Sequence, residues 1–557
     1  MNANRNIRCI AAFLAACATF ATTTARAQEV KPDRLADELV LNFHLIHPGE
    51  KNNMAGDPNG CFFLDGRYHL HYLAEAKGGA AYAHVSSPDI LHWQWHRTPL
   101  TPAFTGFNNA SGGKCLSKEG LPVLFFTAGK FTDCEAVVTV AKDRTMEEWE
   151  KPWPIKPKHP DGSPVVEWKK PYTFDPKNLG GQRVMRGWDP DIRLFGDTYF
   201  AFYGGEDFPL FTSKDLRNWT FKGDFIPRGK SGRYLTHEFP DVAHYEDISC
   251  PDFFPLGDKW MLLCISHPFG CRYYIGERNE KGQFIPETHG RMNWRRENTA
   301  MNNGHAPLFF APDSVETADG RRVMWAWIRP GDMVTGGKKN GYPMTREQLV
   351  SHAMMSLPRE LSLPPDGVLR IKPLRELEGQ RRDPVTRKNV KFVTPMFNTV
   401  MGGWEKIADL PGESCEIRIV IARKEAEGQY IGFQLFTDEN WKGFQIGLRP
   451  DSKSIVLGSG MGSDVSAPFD LSTLPPDEDL ELRIFVDKFL VEVFVNDRQA
   501  LVGSHMNWQG KPTLHAFKHS WPASSPLVIK EITTWRIEPT NQGLLKARDN
   551  PIWKVER

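Results

Sequence analysis

A short apolar and aromatic phrase, led by a glycine turn, recurs five times between residues 66 and 327. It reads Gly66-Arg67-Tyr68-His69-Leu70-His71-Tyr72, then Gly120-Leu121-Pro122-Val123-Leu124-Phe125-Phe126. It returns as Gly196-Asp197-Thr198-Tyr199-Phe200-Ala201-Phe202 and as Gly257-Asp258-Lys259-Trp260-Met261-Leu262-Leu263. The fifth copy is Gly320-Arg321-Arg322-Val323-Met324-Trp325-Ala326-Trp327, and the glycine-to-glycine steps are 54, 76, 61 and 63 residues. Repeats of that size built from short strands predict propeller blades carrying insertions, five of them here. An echo in outer positions supports the repeat: Ser86-Ser87-Pro88-Asp89-Ile90-Leu91-His92-Trp93 parallels Thr212-Ser213-Lys214-Asp215-Leu216-Arg217-Asn218-Trp219. Near the C-terminus, alternation over residues 482–495 predicts a hairpin of half-buried strands.

A second phrase precedes three of the copies: Gly56-Asp57-Pro58-Asn59-Gly60, Trp188-Asp189-Pro190-Asp191 and Ser249-Cys250-Pro251-Asp252. Proline cannot donate to a sheet ladder, so each phrase is expected at the first residues of an innermost strand. Innermost strands line the axis of a propeller, and their acidic residues converge at one mouth of the channel. A single Asp-Pro is an ordinary turn signal. Three at equivalent blade positions point to chemistry, and two carboxylates can split a glycosidic bond.

Length and composition narrow the classes. The chain has 557 residues, enough for two domains, and it is 40% hydrophobic and 25% charged, which argues against both a polytopic membrane protein and a disordered one. With 69 basic and 68 acidic residues there is no polyanion-binding bias, and nucleic acid is not an expected partner. Residues 1–27 read as a signal peptide: Arg5 and Arg8, an apolar stretch from Cys9 to Ala21, then Ala25-Arg26-Ala27 before Gln28. The expectation is an exported protein without a membrane span. Leu14-Ala15-Ala16-Cys17 also has the form of a lipoprotein box, which would leave a lipidated Cys17. The remaining seven cysteines are scattered singly, with no C-x-x-C pair, so neither a zinc site nor a disulfide scaffold is expected. Nothing in the sequence asks for a cofactor or a metal.

Residues 40–365 resemble the catalytic domain of glycoside hydrolase family 32, the invertase, levanase and inulinase family. The likeness rests on Asn53-Met54-Ala55-Gly56-Asp57-Pro58-Asn59-Gly60, on Trp188-Asp189-Pro190 and on Ser249-Cys250-Pro251-Asp252-Phe253-Phe254. It continues through Phe310-Ala311-Pro312-Asp313 and Ser356-Leu357-Pro358-Arg359-Glu360-Leu361. Residues 482–487 and 491–497 match the family's β-sandwich. The resemblance implies an all-β chain, a five-bladed β-propeller followed by a C-terminal β-sandwich. The boundaries expected are a propeller over 28–370, a linker over 371–389 and a sandwich over 390–557.

Carried over by position, Asp57 would be the nucleophile and Asp189 the transition-state stabiliser, with Asn59, Ser111, Trp188 and Ser249 around the sugar. The family's proton donor is a Glu before Cys; here Ser249 holds that place. Gly56, Trp188 and Leu73 also depart from the family pattern at the same mouth. Glu246 and Asp247 are the nearby carboxylates able to supply the acid. Strand alternation puts Asp247 on the Ser249 face, while Glu246 has the longer reach but needs a bulge. Asp252 is a weaker candidate. The expected activity is retaining cleavage of furanosidic bonds in an oligo- or polysaccharide, with β-fructosides such as levan, inulin or sucrose leading. Two alternatives stay open: a carbohydrate-binding or sensor protein without the acid, and a glycosidase for a different sugar.

Overall fold

The computed structural model describes residues 41–47, 55–130, 133–165, 187–267, 269–293, 309–328, 354–392, 405–440, 442–458, 465–504, 510–519, 527–541 and 544. The expected signal segment with Cys17, and the Asn53-Met54 part of the first phrase, lie outside them.

Five sheets form the first unit, four of four strands and one of five. Their innermost strands are Pro58–Leu64, Asn109–Leu116, Gly187–Phe195, Ser249–Leu256 and Phe310–Glu316. Each abuts the next in chain order, and the fifth packs against the first, so the ring closes. The five repeated glycines are the turns that lead from innermost to second strand. Gly66, Gly120, Gly196, Gly257 and Gly320 all have φ between 59° and 80°, a left-handed backbone that glycine adopts without the Cβ penalty. Ile46, ahead of the first blade, bridges to Met354 in the fifth, tying the start of the propeller to its end.

Just inside the strand starts, the channel is filled by a buried charged belt. Lys114 Nζ reaches Asp252 Oδ1 at 3.1 Å and pairs with Asp313 as well. Arg193 pairs with Asp191 at 3.0 Å and with Asp252, and its Nη1 donates to the Lys114 carbonyl at 2.7 Å. These groups come from four different blades, so the belt fastens the innermost strands to one another. Asp252 belongs to this belt and is not a candidate acid.

Two six-stranded sheets form the second unit, face to face around an apolar core that includes Ile417, Ile419, Phe433, Ile446, Leu482, Ile484, Val493 and Leu514. The hairpin expected to be half-buried is buried on both faces. Leu482, Ile484, Val493 and Val495 point into the sandwich core, while Phe485, Leu490 and Phe494 pack with Tyr72, Phe254, Trp325 and Leu357 of the propeller. The alternation was present, but its second face meets another domain instead of water. The segment expected as a linker over 371–389 is shorter than that. Arg370–Pro373 is a strand of the fifth blade, Arg375–Gln380 is a 3-10 helix, and Arg381–Phe392 pairs with Leu527–Ile537 in the sandwich. Charged residues in Arg381–Phe392 disguised it as linker because it is an outer strand with most side chains exposed.

Candidate active site

At the mouth every innermost strand starts with an irregularity. Pairing to the second strand shifts at Pro58/Gly60, Asn109/Gly112, Tyr203/Gly204, Ser249/Asp252 and Phe310/Asp313. In three blades the residue before the proline is left-handed: Asp189 at φ 49°, Cys250 at 45° and Ala311 at 44°. Positive φ is uncommon outside glycine, and bulges of this kind re-aim side chains at the rims of barrels. Here they turn the residue before proline to the mouth and leave the following acidic residue, Asp191, Asp252 or Asp313, in the belt.

The mouth gathers Asp57, Ser111, Asp189 and Cys250 into one connected group. The Ser111 hydroxyl donates to Asp57 Oδ2. It also contacts the Cys250 side chain, and the Cys250 thiol and backbone N–H both donate to Asp189 Oδ2, at 3.4 and 3.1 Å. Burial, with Asp57 adding like-charge repulsion, pushes the Asp189 carboxyl up to about 6, against the opposing pull of His267 and of the Cys250 bonds.

Asn59 is placed differently from the expectation. It is buried, and its amide donates to the Asp57 carbonyl at 2.7 Å while its carbonyl accepts from the Gly112 N–H at 2.8 Å. It braces the strand starts of Asp57 and Ser111 and is spent on backbone. Ser249 is also fully buried. Its hydroxyl donates to Asp247 Oδ2 at 2.5 Å and accepts from Trp188 Nε1 at 2.5 Å. Ser249 therefore sits beneath the mouth, and Trp188 covers it.

The two candidate acids part company. Glu246 is locked to Arg272: Oε2 meets Nη2 at 3.0 Å, Nε donates to Oε2 at 3.1 Å, and both side chains are at most 3% exposed. The Ala243 N–H donates to its Oε1 at 2.9 Å. Burial raises the Glu246 carboxyl and Arg272 opposes that shift, but the group faces the fourth blade's interior. Its expected place at the mouth is thus corrected: the pull of a buried guanidinium turned it away. Asp247 faces the Ser249 side, as strand alternation required. It accepts from the His267 N–H at 2.9 Å through Oδ1 and meets His267 Nδ1 at 2.5 Å through Oδ2. Burial works to raise the Asp247 carboxyl, but His267 and Ser249 outweigh it and hold it below its ordinary value.

His267 is the residue that sequence reading missed. Burial would lower its imidazole, but Asp247, then Asp189 and Asp57, raise it to about 8. Its ring stands edge to face with Trp188 at 6.2 Å and with Phe310 at 5.4 Å. The signal was there in register: Ser249 pairs with Ile265, and continuing that antiparallel ladder by two residues sets Asp247 opposite His267. Among the described residues no group of three or more His, Cys, Asp or Glu is arranged to hold a metal ion. The described helices include none long and apolar enough to cross a membrane.

Comparison with known proteins bears on the whole chain. Residues 47–373 match the glycosyl hydrolases family 32 N-terminal domain, and residues 376–504 match the family's C-terminal domain. A sucrose-6-phosphate hydrolase from Escherichia coli is 26% identical over 497 residues, covering 85% of this chain and 90% of that protein. A levanase from Bacillus sp. (strain L7) is 24% identical over 86% of this chain and 53% of its own. In structure, a fructan 1-exohydrolase IIa from Cichorium intybus superposes with a TM-score of 0.64 at 17% identity, over 90% of this chain and 98% of that one. A Bombyx mori β-fructofuranosidase does so at 0.62 and 18%, over 91% and 97%. With a closed five-bladed propeller, a packed β-sandwich and both domain signatures in one chain, this protein belongs to glycosyl hydrolase family 32.

Proposed function

We propose that the protein is an exported β-fructosidase that cleaves furanosidic bonds by double displacement with retention. The observation that carries this reading is the joining of Asp57 and Asp189 at one mouth through Ser111 and Cys250. Asp57 attacks the anomeric carbon of the furanose and forms a glycosyl-enzyme ester, which water then hydrolyses. Ser111 orients the attacking carboxylate. Asp189, with one oxygen fixed by Cys250, is held to accept hydrogen bonds from ring hydroxyls that tighten as the oxocarbenium-like transition state forms. Trp188 and Phe310 give the mouth flat apolar faces for the sugar. The substrate class leans on the relatives, a sucrose-6-phosphate hydrolase and a levanase, and export leans on the N-terminal segment.

The test is turnover of levan, inulin, sucrose and aryl furanosides by purified protein lacking residues 1–27. At least one β-fructoside should be cleaved, with the first-formed sugar retaining its anomeric configuration. Asp57→Ala should fall below about 1% of that rate, since removal of a nucleophile that acts with its partners as a unit costs orders of magnitude. Binding of fructans without turnover of any substrate would replace this reading with that of a carbohydrate-binding protein.

A further inference from the structure

Among the described residues the mouth holds two carboxylates for the sugar and no third placed to give a proton, because Ser249 is a hydroxyl and Glu246 is committed to Arg272. Cleavage of an unactivated glycoside still requires a proton on the departing oxygen. We propose that the proton donor is the imidazolium of His267, held in place by Asp247, so that a histidine–aspartate pair replaces the missing carboxylic acid.

Four observations place it. Asp247 grips His267 at two points, the backbone N–H at 2.9 Å and Nδ1 at 2.5 Å, which fixes both ring position and tautomer and leaves Nε2–H as the outer donor. Nε2 has no hydrogen-bond partner among the described residues, although the side chain is only 20% exposed. Trp188 and Phe310 flank the ring edge to face, limiting its rotation. The charges that face it come from three blades: Asp247 ahead of its own blade's first strand, Asp189 and Asp57. All three are carboxylates and favour the protonated ring, whereas Asp247 itself stays ionised. Ser249 supports the pair by donating to the same Asp247 oxygen, so the residue that took the acid's position became a prop for its substitute.

The step balances. As Asp57 bonds to the anomeric carbon, the carbon–oxygen bond to the leaving group breaks and its electron pair stays on that oxygen. The oxygen takes the Nε2 proton, and His267 becomes neutral. In the second step neutral His267 removes a proton from water, whose oxygen attacks the anomeric carbon and releases Asp57. The imidazolium is then restored. His267 is the catalytic residue in this scheme, and Asp247 is a positioning residue.

The proposal rests on the glycosidase reading, and the experiment separates their failures. Wild type, His267→Gln, Asp247→Asn and Asp57→Ala are compared on a natural β-fructoside and on fructosyl fluoride, whose leaving group needs no proton. In kcat/KM, which reports only the steps up to the glycosyl-enzyme and so leaves out the shared hydrolysis step, His267→Gln should lose about 10²- to 10⁴-fold on the natural substrate and stay within a few-fold of wild type on the fluoride. Wild-type kcat/KM on the natural substrate should fall above a pH of about 8, and Asp247→Asn should move that limb toward lower pH. Full activity of His267→Gln on the natural substrate overturns the donor assignment. So does an equal loss of kcat/KM on both substrates, which would mark a binding role. If His267→Gln does not fold, the limb decides alone: an unmoved limb in Asp247→Asn overturns the proposal. Wild type inactive on every furanoside defeats the glycosidase reading itself, and Asp57→Ala as active as wild type defeats the double displacement through Asp57.

Discussion

Glu246 and Asp247 are adjacent carboxylates with opposite placements, and the difference lies in what waits on each side of the segment that leads into the strand Ser249–Leu256. Glu246 meets Arg272, with the two side chains 3% and 1% exposed. Asp247 meets a hydroxyl and an imidazole. Removing one partner of a buried ion pair leaves the other charge uncompensated, which typically costs about 3–5 kcal/mol. Glu246→Gln should accordingly lower the melting temperature by many degrees while the folded fraction keeps near-wild-type kcat. Thermal unfolding beside active-site titration checks this, and a large fall in kcat with an unchanged melting temperature would return Glu246 to the chemistry. The other mouth residues obey the same logic. Asn59 and Ser249 are buried because their polar atoms are satisfied inside, by backbone in one case and by Trp188 and Asp247 in the other.

At the scale of elements, the first blade carries an unusual stack of imidazoles. His71 and His84 lie face to face at 4.4 Å, His84 and His96 at 4.6 Å, and His69 Nδ1 meets His84 Nε2 at 3.0 Å. Burial, reinforced by the neighbouring rings, lowers His69 to about 4 and His71 to about 3, and holds His84 well below its ordinary value. Each ring is neutral when folded, whereas an unfolded chain protonates it near the ordinary value of 6.5. The unfolded state therefore binds more protons below that pH. Stability is lost as pH falls from about 6.5 toward 4, by up to about 1.4 kcal/mol per pH for each ring. Melting temperature measured from pH 7.5 to 4.5 should decline, and His84→Phe should flatten the decline. A profile unchanged by that substitution would show that the stack does not set the acid limit. Sheet geometry brings the rings together: His69 and His71 alternate on one strand, and His84 pairs directly with His71 across to the next.

For the whole molecule, the propeller and the sandwich are joined by a buried polar cluster inside an apolar seam. Asp487 accepts from the backbone N–H groups of Asn42, Phe43 and His44 and from His44 Nδ1. His44 Nε2 lies 3.4 Å from Glu492, which pairs with Arg359 at 2.8 Å, and all four side chains that carry these charges are fully buried. Burial works to lower the His44 imidazole, but Asp487 and Glu492 outweigh it and raise it to about 9. Its contribution to stability is complete below the unfolded value of 6.5 and is lost as pH rises through about 9. Denaturant midpoints taken from pH 6 to 9.5 should fall, with one cooperative transition for both domains, and His44→Gln should remove most of the slope. Two separated transitions in the wild type would contradict a seam of this strength.

The amino-acid order alone determined the repeat, the turn glycines and the Asp-Pro phrases, because strand periodicity, left-handed turns and proline at strand starts are local requirements. From them the five blades and the positions of Asp57 and Asp189 were legible, while the sandwich was read from the family resemblance of residues 482–487 and 491–497. Only the tertiary structure decided what each polar side chain faces. Ser249, Asn59 and Glu246 are polar by residue type, yet all three are buried against partners from distant strands. His267 lies 20 residues from Asp247, and nothing local links them. The direct link is tertiary: just beyond the last ladder pair of the fourth blade's first two strands, Ser249 with Ile265, the Asp247 carboxylate meets the His267 backbone N–H and ring. The extent of the linker and the burial of the 482–495 hairpin were hidden for the same reason: both depend on a partner surface contributed from elsewhere in the chain.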